Sequence, residues 1–356
     1  MNTKKNNKLT FGLLGLGTVV NLRIYKLLKN ELSDKVKVIS VFDKNKKKNI
    51  DYSNRFNCKL NENEKNFFLS NFKYCYISTP SGSHYKDILK CFKYHKHVVV
   101  EKPPVLKVSE LLKLNKIAIK KKLHFFVIYQ NRENKAVKFV KNFLQKNKKE
   151  KKVLVNLNLL WSRPQGYYSG WHGKWKHDGG VIAQQGIHYI DLLCYLFGKP
   201  IRAISTISNV SNKLQAEDTH IGMIKFKDVT CTIGLSTALR PSDFKASIDI
   251  ICQNKILSLS GIACNKVEIF EFGNNKNKKL IKDCKKNSQK VKSGVGISHY
   301  QCFNKIIKSY YNKKVKPLRA IDTIETLKLI NMLYLSSYKN KWVLNNRKII
   351  SSKLGN

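Results

Sequence analysis

Leu9-Thr10-Phe11-Gly12-Leu13-Leu14-Gly15-Leu16-Gly17-Thr18-Val19-Val20 decides the fold: a short apolar run, then a turn marked by two glycines. A helical spacing of apolar residues follows through Leu22, Ile24, Leu27 and Leu28. Val36 to Phe42 then alternates and ends at Asp43. Strand, turn, helix and strand make one βαβ unit. In such a unit Gly15 permits the tight turn. Gly17 lets the backbone approach a pyrophosphate at a helix N-terminus. The third position of this fingerprint is Val20, not glycine, which leaves the phosphate contact possible. Asp43 stands where a carboxylate bonds adenosine ribose hydroxyls and repels a 2′-phosphate, so NAD is favoured over NADP. Lys44 and Lys46 soften that preference, and NADP stays open. The plainer alternative is a glycine turn beside a solvated Asp.

Further along, Tyr74 to Ser78 reads as a buried strand stopped at Thr79-Pro80-Ser81-Gly82, with a helix from about Ser83 to Tyr94. His97 to Val100 is the next strand and ends at Glu101-Lys102-Pro103-Pro104. Another helix leads to Phe125–Tyr129, read as the sixth strand. Alternating strands and helices predict a doubly wound parallel sheet, a Rossmann-type domain over residues 1–130. After Tyr129 the pattern changes. One helix covers Lys135 to Asn147, and Val153 to Trp161 alternates as a strand. A Gly-, Tyr- and Trp-rich loop runs from Ser162 to Gly180. Strand-like segments then come in series: Ile201–Ser208, His220–Phe226, Thr230–Ala238, Lys245–Ile251 and Lys255–Leu259. This predicts an α+β domain with an open, largely antiparallel sheet over residues 131–356. Asn274 to Lys290 reads as a charged mobile loop. Helices near His299–Tyr311 and Ala320–Ser337 close the chain and are expected to be able to pack back on the first domain.

Composition narrows the function classes. The chain has 356 residues, 42% hydrophobic, with a formal net charge of +45. That charge suggests a nucleic-acid or anionic-membrane binder. The excess is almost all Lys, however, with eight Arg in the chain, and the Lys are spread through every segment beside abundant Asn. Arg supplies bidentate base and phosphate recognition. A diffuse, solvated Lys surface fits better, and no specific nucleic-acid partner is expected. No apolar run reaches the length of a membrane span. Met1–Lys8 reads as a short basic tail rather than a signal peptide. Nine scattered Cys without a Cys-x-x-Cys pair argue for a reducing, cytoplasmic setting. His95 with His97, and His172 with His177, lack a matching ligand pair, so no metal site is expected.

Two segments carry candidate chemistry. Asp178-Gly179-Gly180 opens an apolar run from Val181 to Leu193, read as helical. Gln184, His188 and Asp191 follow at spacings of four and three, which stack side chains on one helix face. Gln184 and His188 then point together into a cleft, while Ile187, Ile190, Leu192 and Leu193 pack. His188 suits proton transfer near neutral pH, although a His in an apolar helix is by itself more often a hydrogen-bonded core residue. Lys102 stands at a strand C-terminus, the edge where open α/β sheets bind ligands. It can hydrogen-bond a hydroxyl and stabilise developing alkoxide, with Glu101 orienting it.

Together these motifs resemble the Gfo/Idh/MocA family of NAD(P)-dependent oxidoreductases over nearly the whole chain. The resemblance implies an active-site Lys102 in Glu101-Lys102-Pro103 and an active-site His188, expected to converge from the two domains on one substrate hydroxyl. It also implies cofactor contacts from Gly15, Gly17, Thr18, Val19, Asp43, Thr79, Pro80, His84, Glu101, Lys102 and Gln130. The Asp usual in the family four residues before the His is Gln184 here, and an amide cannot act as a base. Tyr129-Gln130-Asn131-Arg132, Arg163-Pro164-Gln165-Gly166-Tyr167-Tyr168 and Trp171-His172-Gly173-Lys174-Trp175 resemble most the branch that oxidises UDP-N-acetyl amino sugars at C3, in which an amide often replaces the Asp. Gln184, Arg163, Asn131 and Tyr168 are the implied substrate contacts. Arg132 and Arg163 could meet anionic parts of a substrate or form structural salt bridges. Tyr167, Tyr168, Trp171 and Trp175 could form a lid or a packed loop. The implied partners are a sugar or UDP-sugar and a second copy of the chain, as dimer or tetramer through the open sheet. An inositol or free-sugar dehydrogenase and a non-enzymatic NAD- and sugar-binding regulator are the rival readings.

Overall fold

The computed structural model describes residues 8–272, 277–291, 297–346 and 350–356. The basic tail through residue 7 lies outside them. The chain divides into two compact units. Unit 1 comprises residues 1–105, 109–129 and 298–322; unit 2 comprises 106–108, 130–297 and 323–356.

In unit 1, β1 (Leu9–Leu14), β2 (Val36–Phe42), β3 (Tyr74–Ile77), β4 (His97–Glu101) and β5 (Phe125–Ile128) form one sheet in the order β2-β1-β3-β4-β5. All its pairings are parallel. The sheet therefore has five strands, and Phe125–Ile128 is the fifth rather than the sixth. Between Phe42 and Tyr74 the chain forms α1 (Lys46–Phe56) and α2 (Glu64–Leu69), with a single bridge from Ser40 to Lys59. Asn45 and Asn63 cap these helices by accepting bonds from the Lys48 and Asn66 amides, which favours helix over strand. Between β1 and β2 the chain winds through two π-helical stretches, Val20–Ile24 and Leu27–Glu31. α3 (His84–Lys93) and α4 (Val108–Lys120) precede β4 and β5.

The strand order reverses at β1, so the crevice beyond the carboxyl ends of β1 and β3 is the topological switch point. A later helix, α8 (His299–Tyr311), belongs to this unit and covers its sheet. Phe303, fully buried, lies 5.9 Å from the Phe11 ring and 5.5 Å from the Tyr76 ring.

Unit 2 holds α5 (Lys135–Lys146), β6 (Lys152–Leu160), α6 (Ile187–Phe197), β7 (Arg202–Ser208), β8 (Thr219–Lys225), β9 (Thr230–Ser236), β10 (Lys245–Cys252), β11 (Lys255–Ser260), β12 (Lys266–Glu271), α7 (Lys278–Asn287), α9 (Ile324–Lys339) and β13 (Val343–Leu344). Its sheet runs β12-β11-β10-β6-β9-β8-β7-β13. Only β6 and β9 pair in parallel, so the sheet is largely antiparallel. The alternation of β12 and the two-residue β13 escaped the sequence reading. Helix α9 packs on β7, and α5 and α7 pack on β12. The opposite face presents Ile221 and Met223, 63% and 42% exposed.

The stretch read as a mobile loop is α7 from Lys278 onward, while residues 273–276 lie outside the described ones. Asn277 caps it by accepting from the Leu280 amide, and Cys284 is buried beneath it. One apolar stripe on a Lys-rich helix is enough to dock it, while the Lys side chains stay in water. Among the described residues no helix is long and apolar enough to cross a membrane.

Removing the Phe303 ring should leave a cavity under α8. Phe303→Ala is expected to cost about 3–5 kcal/mol, read as a lower denaturation midpoint in urea. A loss below about 1 kcal/mol would show that α8 does not anchor this sheet.

Candidate active site

The strand-end edge of unit 1 expected to meet the cofactor is built by backbone contacts. Gly15 has φ +86°, and a Cβ there would lie 2.7 Å from the Thr79 nitrogen and 2.8 Å from the Ser78 carbonyl carbon. The Gly15 amide donates to the Phe42 carbonyl (2.8 Å), and the Ser78 hydroxyl donates to the Gly15 carbonyl (2.8 Å). Gly15 thus joins the ends of β1, β2 and β3. At Gly17 a Cβ would meet nothing within 4 Å. This open space, beside the N–H groups of a first helical turn, fits a pyrophosphate. Thr18 is exposed, Val19 half-buried and Val20 fully buried. Val20 therefore packs inward where the fingerprint would have glycine.

Asp43 is fixed from several sides. Its Oδ2 accepts from the Leu16 amide (2.7 Å) and its Oδ1 from the Asn45 amide (2.9 Å). The Asn49 side chain accepts from its N–H and donates to its carbonyl. Each carboxylate oxygen keeps lone-pair capacity for a further donor, as a ribose contact requires.

The Thr79-Pro80 turn is tied to the Lys102-Pro103 segment through His84. Its Nε2 lies 2.9 Å from the Thr79 carbonyl and its Nδ1 2.8 Å from the Pro103 carbonyl. The ring is 1% exposed. The resemblance implied a cofactor contact from His84; both its nitrogens face backbone instead, so it braces the two segments. Burial lowers its pKa, while the two carbonyls favour the doubly protonated ring. The Thr79 hydroxyl donates to Asp87 (2.7 Å). Glu101 turns Oε1 to the Tyr76 hydroxyl (2.7 Å) and lies 3.8 Å from His299 Nε2. Tyr76, Asp87 and His299 were missed by the sequence reading, because each lies in an otherwise ordinary buried pattern. Lys102 follows at the β4 end, partly exposed.

In unit 2, α6 begins at Ile187, not at the glycine pair. Residues 181–186 form turns. The Gln184 amide bonds the Gly180 carbonyl four back, but the Gly186 amide reaches the Val181 carbonyl five back. That offset breaks the regular helix, so Gln184 belongs to the turn and His188 to the first turn of α6. From Val181 to Cys194, Gln184 and His188 are nevertheless the two residues not buried.

Asp191, expected on their face, is 1% exposed and points elsewhere. It receives Arg132 through Nε (2.7 Å) and Nη2 (2.6 Å), and the Thr326 hydroxyl (2.9 Å). Arg132 is thus in a structural salt bridge. Asn131 is also buried, its amide nitrogen 3.9 Å from Cys264 Sγ, and Gln130 beside it is 7% exposed.

Of the four loop aromatics, Tyr167 faces Gln184: its hydroxyl accepts from Gln184 Nε2 (2.7 Å). Its ring stacks on His172 at 4.5 Å and 9°. His172 Nδ1 lies 2.6 Å from Asp178 Oδ2, and the Gly173 amide donates to Asp178 Oδ1 (2.9 Å). Trp171 packs on His172, centroids 3.9 Å apart, and Trp175 packs on Tyr334 at 5.0 Å. Tyr168, implied as a substrate contact, is 7% exposed with its hydroxyl 2.7 Å from Thr237 Oγ1. It packs the loop, and Tyr167 is the tyrosine at the turn. Arg163 lies 5.0 Å over Trp161 and donates to Asp243 (2.9 Å). Among the described residues no three His, Cys, Asp or Glu side chains gather as a metal-binding group.

Arg132→Met should strand the Asp191 carboxylate and cost about 3–5 kcal/mol, read in urea. Equal stability with a raised sugar KM would instead make Arg132 a substrate contact. Asp43→Ala should weaken NAD about tenfold or more, the scale of a lost hydrogen bond to a charged group, as read by cofactor titration. Unchanged NAD affinity would remove Asp43 from the cofactor site.

Comparison with known proteins gives these geometries a family. Residues 9–129 match the oxidoreductase family with an NAD-binding Rossmann fold, and residues 137–258 match the GFO/IDH/MocA C-terminal domain. Scyllo-inositol 2-dehydrogenase (NADP(+)) IolW of Bacillus subtilis (strain 168) is 28% identical over 124 residues, 35% of this chain and 34% of that protein. The chain's matches span between about a third and a half of the length of the curated relatives. The WlbA dehydrogenase from Chromobacterium violaceum, solved with NADH and UDP-GlcNAcA, is similar with a TM-score of 0.86 at 25% identity, covering 96% of this chain and 97% of that one. The WlbA dehydrogenase from Bordetella pertussis shares the fold at a TM-score of 0.84 and 21% identity, covering 96% and 100%. The chain belongs to the Gfo/Idh/MocA family of oxidoreductases, and its first unit is an NAD-binding Rossmann domain.

Proposed function

We propose that this protein is an NAD-dependent dehydrogenase that oxidises the C3 hydroxyl of a UDP-linked N-acetylated hexosamine, or of its uronic acid, for surface-polysaccharide synthesis. The observation that carries the reading is the joint emergence of Gln184 and His188 from an otherwise buried stretch, beside Tyr167. An amide and an imidazole at one opening can hold a hydroxyl and take its proton. The likeness to a dehydrogenase solved with NADH and UDP-GlcNAcA supports the substrate class.

NAD held at the turn of Gly15 and Gly17 and at Asp43 would supply the hydride acceptor for the ring carbon. His188 takes the hydroxyl proton, so the carbon becomes a carbonyl with atoms and electrons balanced. Lys102 donates to the reacting oxygen, and its charge favours ionisation. Gln184 can orient a hydroxyl but cannot accept its proton. Thr18, Val19 and Gly17 supply the phosphate-facing turn, and Asp43 the ribose contact. The diffuse +45 charge would draw an anionic UDP-sugar inward. The open sheet face with Ile221 and Met223 is the surface for a dimer or tetramer.

The test is NADH formation with UDP-N-acetylhexosamines, their uronic acids, inositols and free sugars side by side. Turnover confined to inositols would replace the sugar-nucleotide reading, and turnover of none would favour a regulator. Lys102→Ala and His188→Ala should each lower turnover by about a hundredfold, the scale of a lost acid or base, with NAD affinity nearly unchanged. Gln184→Ala should be milder. Near-native turnover in the His188 variant would sink its role as the base.

A further inference from the structure

Beneath the turn that carries Gln184 lies a carboxyl the chemistry above does not use. Glu217 is fully buried in unit 2. Its carbonyl accepts from the Val181 amide (3.0 Å), and its Oε1 accepts from the Ile182 amide (3.0 Å) and the Tyr334 hydroxyl (2.9 Å). The Tyr334 oxygen in turn accepts from the Gly180 amide (3.1 Å). Gly180 is pressed so close that a Cβ would lie 2.1 Å from the Glu217 carbonyl oxygen. Three successive amides, from Gly180, Val181 and Ile182, are thus held by Glu217 directly or through Tyr334. The Gly180 carbonyl then receives the Gln184 amide.

The two carboxyl oxygens are unequal. Oε1 has both donors, whereas Oε2 is buried with no partner. A carboxylate spreads its charge over both oxygens, so ionisation would leave half of it unsolvated. Burial is the largest influence; the Ile182 amide and the Tyr334 hydroxyl favour the ionised form through Oε1 but do not offset it, and Asp178, 2% exposed, adds repulsion. Asp218, the next residue, turns away to the Val210, Ser211 and Asn212 amides. Those bonds hold Asp218 below the usual carboxylate range, while burial pushes Glu217 up to about 8. The two adjacent carboxyls are therefore shifted in opposite directions.

We propose that Glu217 is a positioning residue that, as a neutral acid, clamps the Gly180–Gly186 turn presenting Gln184 and His188, and that its ionisation releases the turn and lowers sugar turnover. This rests on the dehydrogenase reading for its activity readout. Wild-type kcat/KM for the sugar should fall as pH rises through about 8, with NAD affinity flat. Glu217→Gln, isosteric and always neutral, should keep turnover at neutral pH and lose that alkaline fall. Glu217→Ala should lose at least tenfold at every pH. The same alkaline fall in the Gln variant, or near-native turnover in the Ala variant, would overturn the proposal.

Two measurements need no substrate. Trp175 packs on Tyr334, so its fluorescence should change through the same pH in the wild type, but not in Glu217→Gln or Trp175→Phe. A folded-state pKa above the ordinary carboxyl value means stability is lost as pH rises from about 4.5 to about 8. The wild type should therefore melt progressively lower relative to the Gln variant across that window. An identical fluorescence transition, or a constant melting difference, would defeat the clamp even if sugars are oxidised. Failure on every sugar with these two signals intact would defeat the dehydrogenase reading and leave the clamp standing.

Discussion

A Cβ on Gly15 would collide with the Ser78–Thr79 backbone, and the three strand ends of unit 1 meet because that atom is missing. The Phe42 carbonyl receives the Gly15 amide, and the Ser78 hydroxyl reaches the Gly15 carbonyl. With β1 joined to β2 and β3 at this one residue, the loop must turn outward at Gly17 into open space. Asp43, one residue past β2, is then close enough to bond the Leu16 amide. The open Gly17 turn and the position of the Asp43 carboxylate are thus set by one backbone approach. His84 extends the same frame to the segment after β4 by spanning the Thr79 and Pro103 carbonyls.

Unit 2 is organised by buried carboxyls rather than by a glycine. Asp191 takes a bidentate Arg132 and the Thr326 hydroxyl, so its charge is matched donor by donor. Asp178 has His172 and the Gly173 amide. Glu217 has donors on one oxygen only. These differences matter because a buried charge is tolerated in proportion to the donors that replace water. They leave Gln184 and His188 as the polar groups that reach the surface of this stretch, supported from below by groups that do not.

The fold was largely legible in the residues. Period-two alternation marks β6 and the later strands, since one face of that sheet is packed and the other is open. Continuous apolar runs ending in Gly, Pro or charged residues mark β1 and β4, which are covered on both faces. The misreadings have local causes. The Lys-rich stretch from Asn274 looked like a loop because its apolar stripe is narrow. Residues 43–73 contributed no strand, because Asn caps favour helices there.

Sequence alone determined the βαβ start, the glycine turn with Asp43 behind it, the strand end carrying Lys102, and the stretch carrying Gln184 and His188. All depend on residues close together in the chain, where conformational preference and spacing act directly. Only the tertiary structure decided that Arg132 belongs to Asp191, 59 residues away, and that Glu217 belongs to Tyr334, 117 residues away. It also decided that Tyr167 rather than Tyr168 meets Gln184. Such pairings depend on which distant side chains share one small volume of low dielectric. Spacing along the chain carries no record of that.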